Sequence, residues 1–265
     1  MLSWSINNLQ ADMTMNEQID SEKKRRRGIY LLPNLFTTAA LFAGFYAIIN
    51  GMNGHFENAA IAIFIAMVLD GLDGRVARMT NTQSDFGEQY DSLADLISFG
   101  LAPALVMYEW ALADMGKLGW LAAFIYTATA ALRLARFNAQ IGNEDKRYFT
   151  GLPSPSAAAV VAGMVWVATD YQVSGAQLVW YAFALTITIG LLMVSNIRYR
   201  SFKDLDLKGK VPFVAIIIVV LVYVLITIDP PQVLFSIFAA YAISGLVGTL
   251  LLIRKIRRER NKSGQ

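Results

Sequence analysis

The sequence predicts an all-α polytopic membrane protein of about eight transmembrane helices with both termini in the cytoplasm. Three observations predict it. Hydrophobic residues make up 55% of the 265 and charged residues 16%, where soluble domains carry about a quarter charged. Eight apolar stretches approach the roughly 20 residues that a helix needs to cross the hydrocarbon core. With the N-terminus inside, 22 of the 23 lysines and arginines fall on the cytoplasmic side and only Lys117 falls outside. That is the positive-inside distribution, and an odd number of spans destroys it.

The elements follow in order. Residues 1–28 are a polar cytoplasmic segment ending in the basic run Lys23–Arg27, too polar for a secretory signal. A transmembrane domain fills 29–255. Its spans run roughly 31–50, 59–78, 91–111, 118–136, 156–169, 176–195, 211–228 and 233–253. The second and fifth have short apolar cores. The second ends in LDGLDGRVAR (69–78), and the fifth follows GLPSPS (151–156), whose prolines mark a break before the helix. A basic tail occupies 256–265. Trp4, Tyr30, Trp110, Trp120, Trp180 and Tyr199 read as interfacial belts. Lys146 and Arg147, in a loop, suit anionic headgroups. No internal repeat and no soluble domain is visible.

Composition narrows the chemistry. Cysteine is absent, which excludes disulfides, thiol nucleophiles and Cys-based metal sites. Histidine occurs once, at His55, in a predicted outer loop. Nucleic-acid binding does not suit a membrane protein whose basic tail faces lipid.

The chemistry lies in residues 70–95, DGLDGRVARMTNTQSDFGEQYDSLAD. Asp70 and Asp73 are spaced i, i+3, and Asp91 and Asp95 i, i+4, so each pair shares a helix face. The first pair closes the inner end of span two and the second opens span three. Four converging carboxylates repel one another unless cations neutralise them. Hard divalent ions such as Mg²⁺ take oxygen ligands and keep positions open for a substrate phosphate. Gly71, Gly74 and Gly87 remove side chains where a ligand or backbone comes close, and Arg78 suits a phosphate. A carboxylate at a helix end is often merely solvated or dipole-stabilised. Four of them with these glycines and this arginine point to function instead, because ionisable groups in membranes usually mark it. An EF-hand is excluded by spacing.

Asp70-x2-Asp73-Gly74-x2-Ala77-Arg78-x8-Gly87-x3-Asp91-x3-Asp95 resembles, without departure, the signature of the CDP-alcohol phosphotransferase family. The resemblance implies an integral membrane enzyme that displaces CMP from a CDP-linked alcohol with a second alcohol. It implies two divalent cations, Mg²⁺ or Mn²⁺, one on Asp70, Asp73 and Asp91 and the other on Asp70, Asp91 and Asp95. Asp95 is then also the general base, and Gly74, Arg78 and Ser84 hold the CDP moiety together with Gly87. By the same resemblance Asn34 and Thr37 of PNLFTT (33–38) line the nucleotide pocket, although Pro33 also suits an ordinary helix start. Family members are often homodimers.

DSLADLISFGLAPA (91–104), ALRLARFN (131–138) and FTGLPSPSAAA (149–159) resemble the serine-accepting branch of that family. The implied substrates are CDP-diacylglycerol and L-serine, in contact with membrane lipids. Serine carries a carboxylate, and Arg133 and Arg136 at the inner end of span four offer guanidinium forks for it, with Asn138 adding a hydrogen bond. Anchoring of the helix end is the plainer role for these arginines. Glycerol 3-phosphate, inositol phosphate or choline are alternative acceptors. A divalent-cation transporter is an alternative of another class, against which stands the clustering of acids at one membrane face. A scaffolding protein would not require the aspartates and glycines together.

Overall fold

A computed structural model of the chain describes residues 33–80, 82, 84–139, 148–200 and 213–263. The polar segment 1–28, Tyr30, Lys146, Arg147 and the basic loop residues Lys203, Lys208 and Lys210 lie outside the described residues. Among the described residues eight helices occupy the eight predicted stretches: α1 (Pro33–Met52), α2 (Phe56–Thr80), α3 (Asp85–Met115), α4 (Lys117–Ala139), α5 (Ser154–Asp170), α6 (Val179–Val194), α7 (Phe213–Ile228) and α8 (Pro230–Ser263). The chain is an all-α membrane protein. Among the described residues five helical stretches are long and apolar enough to cross a bilayer: α1, α3, α4, Gly175–Val194 and Pro230–Leu251. The other three fall short for identifiable reasons. The second half of α2 carries Asp70, Asp73, Arg75 and Arg78, α5 has 17 residues, and the described part of α7 has 16.

Boundaries differ from expectation where capping decides them. α3 starts at Asp85, a turn and a half before the predicted 91, because Ser84 caps it: the Gly87 amide donates to Ser84 Oγ at 3.1 Å. α5 begins at Ser154 within GLPSPS, with Pro155 in its first turn, where a missing N–H costs nothing. α8 starts on Pro230 and Pro231, with the Gln232 amide donating to Asp229 Oδ1 at 3.2 Å. It runs past the predicted membrane exit to Ser263, since RKIRRERNKS contains no helix breaker.

Helix crossings are built from small residues, as close packing in membranes favours. α5 is central. Ala157 to Gly163 are all buried; the helix packs against α2, whose Ala59, Ala60, Ala62 and Ala66 are also buried, and meets Phe235 of α8 at Gly163. α4 packs along α6, with Gly190 against Tyr126 and Thr129. α1 crosses α3 at Gly44, where an added Cβ would stand 2.5 Å from Ser98 Oγ, and Ser98 donates to the Ala40 carbonyl at 3.0 Å.

α3 loosens into a π-helical turn over Leu96–Leu101, immediately after Asp95. Pro103 has no N–H for the Phe99 carbonyl. The fully buried Tyr126 hydroxyl of α4 donates to that carbonyl at 3.2 Å, which supplies the lost partner.

Two strands that the sequence did not predict lie just before α5 and just after α6. β1 (Tyr148–Thr150) and β2 (Arg198–Arg200) pair antiparallel with Phe149 opposite Tyr199. Tyr199 therefore does not join an interfacial belt. It is buried, fills the space left by Gly245 of α8, and donates to the Ala242 carbonyl at 3.1 Å. Burial, with Tyr241 beside it, pushes its phenol up to about 12, so it remains a donor. Trp110 is likewise buried, its backbone against Gly175. Trp120 and Trp180 are exposed, as belt residues are. Trp4 lies outside the described residues.

Candidate active site

The start of α1, the C-terminal half of α2, the start of α3 and the end of α4 surround a cavity of about 340 Å³. α1 contributes Pro33, Asn34 and Thr37, and α2 contributes Asp73, Gly74, Ala77 and Arg78. Ser84, Gly87, Glu88, Asp91 and Ser92 come from the capped start of α3, Phe137 and Asn138 from the end of α4, and Thr82 from the link between α2 and α3. All six residues expected to hold CDP (Asn34, Thr37, Gly74, Arg78, Ser84 and Gly87) thus line one space.

Carboxylate oxygens of Asp70, Asp91 and Asp95 lie within 4.8 Å of one another. The carboxyl of Asp73 meets that of Asp91, and Asp70 meets Asp95. Asp91 belongs to both features, lining the cavity and joining the cluster. Like charges this close persist only with a cation or proton between them. Asp91 Oδ1 is buried and has no hydrogen-bond partner, which a buried oxygen rarely lacks. An all-oxygen donor set with an orphaned oxygen fits Mg²⁺ or Mn²⁺. Asp73, itself buried, accepts from Thr37 Oγ1 at 2.7 Å.

The glycines differ in what demands them. A Cβ on Gly87 would crowd Ser84 Oγ at 3.2 Å and Asn34 Oδ1 at 3.5 Å. One on Gly74 would meet the Arg78 guanidinium at 3.5 Å and fill the cavity wall. Gly71 is exposed, with nothing near its Cβ position, so no close approach requires it.

The three residues expected to bind serine are dispersed. Asn138 lines the cavity and is tied to Ser92, Nδ2 donating to Oγ at 2.9 Å. Arg133 donates through Nη1 to Ser154 Oγ at 2.7 Å and faces Asp95 closely enough for their charges to interact. Arg136 donates to Asn196 Oδ1 at 3.0 Å and to the Val194 carbonyl at 3.5 Å, so it joins α4 to the end of α6. His55 sits in the α1–α2 turn, about 22 Å of helix away from Asp70.

Sequence reasoning missed Ser92, Ser154 and Asn196 as partners of these side chains. Ser154 and Asn196 lie 21 and 60 positions from the arginines they meet, so no local pattern links them. Ser92 sits beside Asp91 in the motif and on the cavity wall, a signal that spacing could have supplied.

Comparison with known proteins adds an independent line. The family model for CDP-alcohol phosphatidyltransferase matches residues 30–188. A CDP-diacylglycerol–serine O-phosphatidyltransferase of Helicobacter pylori is 37% identical over 235 residues, covering 89% of this chain and 98% of that protein. A protein of the same name from Mycobacterium leprae is 34% identical over 194 residues, 70% of this chain and 64% of its own length. An archaetidylserine synthase of Methanothermobacter thermautotrophicus is 33% identical over 178 residues, 66% of this chain and 72% of that one.

Proposed function

The chain belongs to the CDP-alcohol phosphatidyltransferase family, and from that premise we propose that it transfers the phosphatidyl group of CDP-diacylglycerol to the hydroxyl of L-serine, giving phosphatidylserine and CMP. One observation supports the chemistry above all: Asp91 is shared between the cavity and the carboxylate cluster, so a nucleotide in the cavity brings its pyrophosphate against the aspartates.

Asp70, Asp73 and Asp91 would hold one divalent cation and Asp70, Asp91 and Asp95 a second. Bound there, Mg²⁺ or Mn²⁺ would supply charge neutralisation for the pyrophosphate. Arg78 holds a phosphate oxygen. Asn34, Thr37, Ser84 and the walls at Gly74 and Gly87 accommodate the CDP moiety. Asp95 accepts the proton of the serine hydroxyl. The freed oxygen forms a bond to the phosphorus that carries diacylglycerol, the bond from that phosphorus to the CMP oxygen breaks, and CMP leaves. A covalent enzyme intermediate would need a nucleophile: cysteine is absent, the only histidine is remote, no serine of the motif has a base other than Asp95, which the acceptor needs, and metal ligation would withdraw electron density from the carboxylates.

The site faces the cytoplasm from the inner membrane, all eight helices span, and both termini are inside. The lysine and arginine distribution supports this orientation. At that depth a lipid substrate keeps its tails in hydrocarbon and its nucleotide in water. The enzyme works as a homodimer, a reading that rests on the family resemblance.

The test uses the full-length protein in detergent with CDP-diacylglycerol, Mg²⁺ or Mn²⁺, and separately L-serine, glycerol 3-phosphate, inositol phosphate or choline. CMP release that requires both serine and the metal is expected. Release with a different acceptor reassigns the substrate, and metal flux into liposomes without CMP release favours transport.

A further inference from the structure

Two of the three stretches that resemble the serine-accepting branch, ALRLARFN at the end of α4 and FTGLPSPSAAA at the start of α5, meet in one contact, Arg133 Nη1 to Ser154 Oγ at 2.7 Å. Ser154 is completely buried. Its place is fixed by the turn before it. The Gly151 amide donates to the Ile197 carbonyl at 2.8 Å and the Leu152 amide to the Leu192 carbonyl at 3.0 Å. Gly151 has φ +82°, and a Cβ there would run into the Met193 carbonyl, so only glycine allows this docking. The hydroxyl thus stands on a rigid seat made by α6, and the Arg133 guanidinium is held against it.

In serine the hydroxyl and carboxylate are only a few bonds apart. Whatever group takes the hydroxyl proton therefore has the carboxylate's partner close by. The contacts of Asn138 with Ser92 and of Tyr126 with Phe99 bracket Arg133 and Asp95 on facing stretches of α4 and α3, while Arg136 is engaged with Asn196 and Val194. A guanidinium recognises a carboxylate through a planar fork, so its orientation matters as much as its charge.

We propose that Ser154 is a positioning residue for acceptor recognition: its hydroxyl fixes the Arg133 guanidinium beside Asp95, in the orientation that receives the acceptor's carboxylate. This rests on serine being the acceptor. It divides the two arginines, Arg133 reading the substrate and Arg136 fastening α4 to α6.

The experiment measures steady-state kinetics of the full-length enzyme with L-serine and with serinol, in which a hydroxymethyl group replaces the carboxylate. Ser154→Ala is expected to lower kcat/KM for L-serine about tenfold through KM, the usual order for one charge-assisted hydrogen bond. KM for CDP-diacylglycerol and kcat/KM for serinol stay unchanged. Arg133→Gln, which leaves Ser154 in place, is expected to give the same split more strongly and provides the answer if Ser154→Ala is unstable. Asn196→Ala, which releases Arg136, is expected to keep the wild-type ratio. Equal losses for L-serine and serinol, a matching rise in KM for CDP-diacylglycerol, or no change at all would overturn the proposal. So would an Asn196→Ala variant that reproduces the split, since the carboxylate would then belong to Arg136. Absence of serine-dependent release from the wild-type protein would instead overturn the acceptor assignment, and the inference with it.

Discussion

The Thr37 hydroxyl donates to Asp73 Oδ2 at 2.7 Å across 36 positions of sequence, joining the N-terminal part of α1 to the C-terminal half of α2. Asp73 is only 5% exposed, so its charge needs such a partner. The Pro33 carbonyl is 3.1 Å from the same Thr37 oxygen, but the anion is the stronger acceptor. Thr37→Val keeps the shape and removes the donor. Loss of a hydrogen bond behind a metal ligand commonly costs 10- to 100-fold in metal affinity or activity. The half-saturating Mg²⁺ concentration for CMP release is therefore expected to rise by about that factor, while Thr37→Ser stays near wild type. An unchanged Mg²⁺ titration in Thr37→Val would remove Thr37 from the metal site's support.

The aspartates are expected to differ in how far metal rescues them. Asp70→Ala and Asp91→Ala each remove a group assigned to both cations, and activity is expected to stay lost at any attainable Mg²⁺ or Mn²⁺ concentration. Asp73→Ala removes a group assigned to one, and high metal is expected to restore part of the rate. Metal titrations of the three variants check this. Equal sensitivity without rescue would argue against shared ligation by Asp70 and Asp91.

Gly44 and Gly71 make a contrasting pair for stability. A Cβ at Gly44 meets both Ser98 Oγ and the Ser98 Cα at 2.7 Å, which is backbone and cannot rotate away. Gly44→Ala is expected to cost about 1–3 kcal/mol by forcing α1 from α3. Gly71→Ala meets nothing and is expected to be neutral or slightly stabilising, because alanine favours helix. Thermal unfolding in detergent reads both. A Gly44→Ala protein as stable as the wild type would mean that the two helices do not cross this closely.

Tyr126→Phe removes the donor to the Phe99 carbonyl and changes little else. An unsatisfied buried acceptor costs about 1–3 kcal/mol, and the π-helical turn that follows Asp95 is where the loss falls. Lower thermal stability with a retained helical circular dichroism signal is the expected outcome. Unchanged stability would show that another group satisfies that carbonyl.

Much of this was legible in the sequence, for physical reasons. Apolar stretches located the eight helices of the described residues, because membrane insertion imposes a length rule that acts locally. The four aspartates were legible as a group because i, i+3 and i, i+4 spacing places them on helix faces at two adjoining helix ends. The early start of α3 was less visible: DFGEQYDSL is polar on average and does not read as a span, although Ser84 followed by Asp85 and Glu88 is a helix-start signal. Three-residue strands are too short to show alternation, and β1 and β2 are brought together only by the fold. The same holds for Tyr199. An aromatic near a helix end reads as an interfacial anchor, and only Gly245, far along the chain, gives it a buried place. Arg133 and Arg136 looked equivalent at i, i+3 because their partners, Ser154 and Asn196, are distant in sequence.

The mechanism without a covalent intermediate has a direct check. Labelled CMP is incubated with enzyme and CDP-diacylglycerol after rigorous removal of serine. Little or no label is expected to enter CDP-diacylglycerol, because both substrates must be present together. Exchange near the rate of turnover would indicate a phosphatidyl-enzyme.

The central claim is that this carboxylate cluster makes phosphatidylserine, with Asp95 taking the proton of the incoming hydroxyl. The most direct measurement supplies labelled L-serine and CDP-diacylglycerol to the purified wild-type and Asp95→Asn proteins and follows label entering lipid. The wild type is expected to yield labelled phosphatidylserine in step with CMP. Asp95→Asn, with its fold and much of its CDP-diacylglycerol binding retained, is expected to be slower by at least the roughly 10²-fold that loss of a general base commonly costs. Near-wild-type formation of labelled phosphatidylserine by a well-folded Asp95→Asn protein, or no labelled lipid from the wild type, would contradict it.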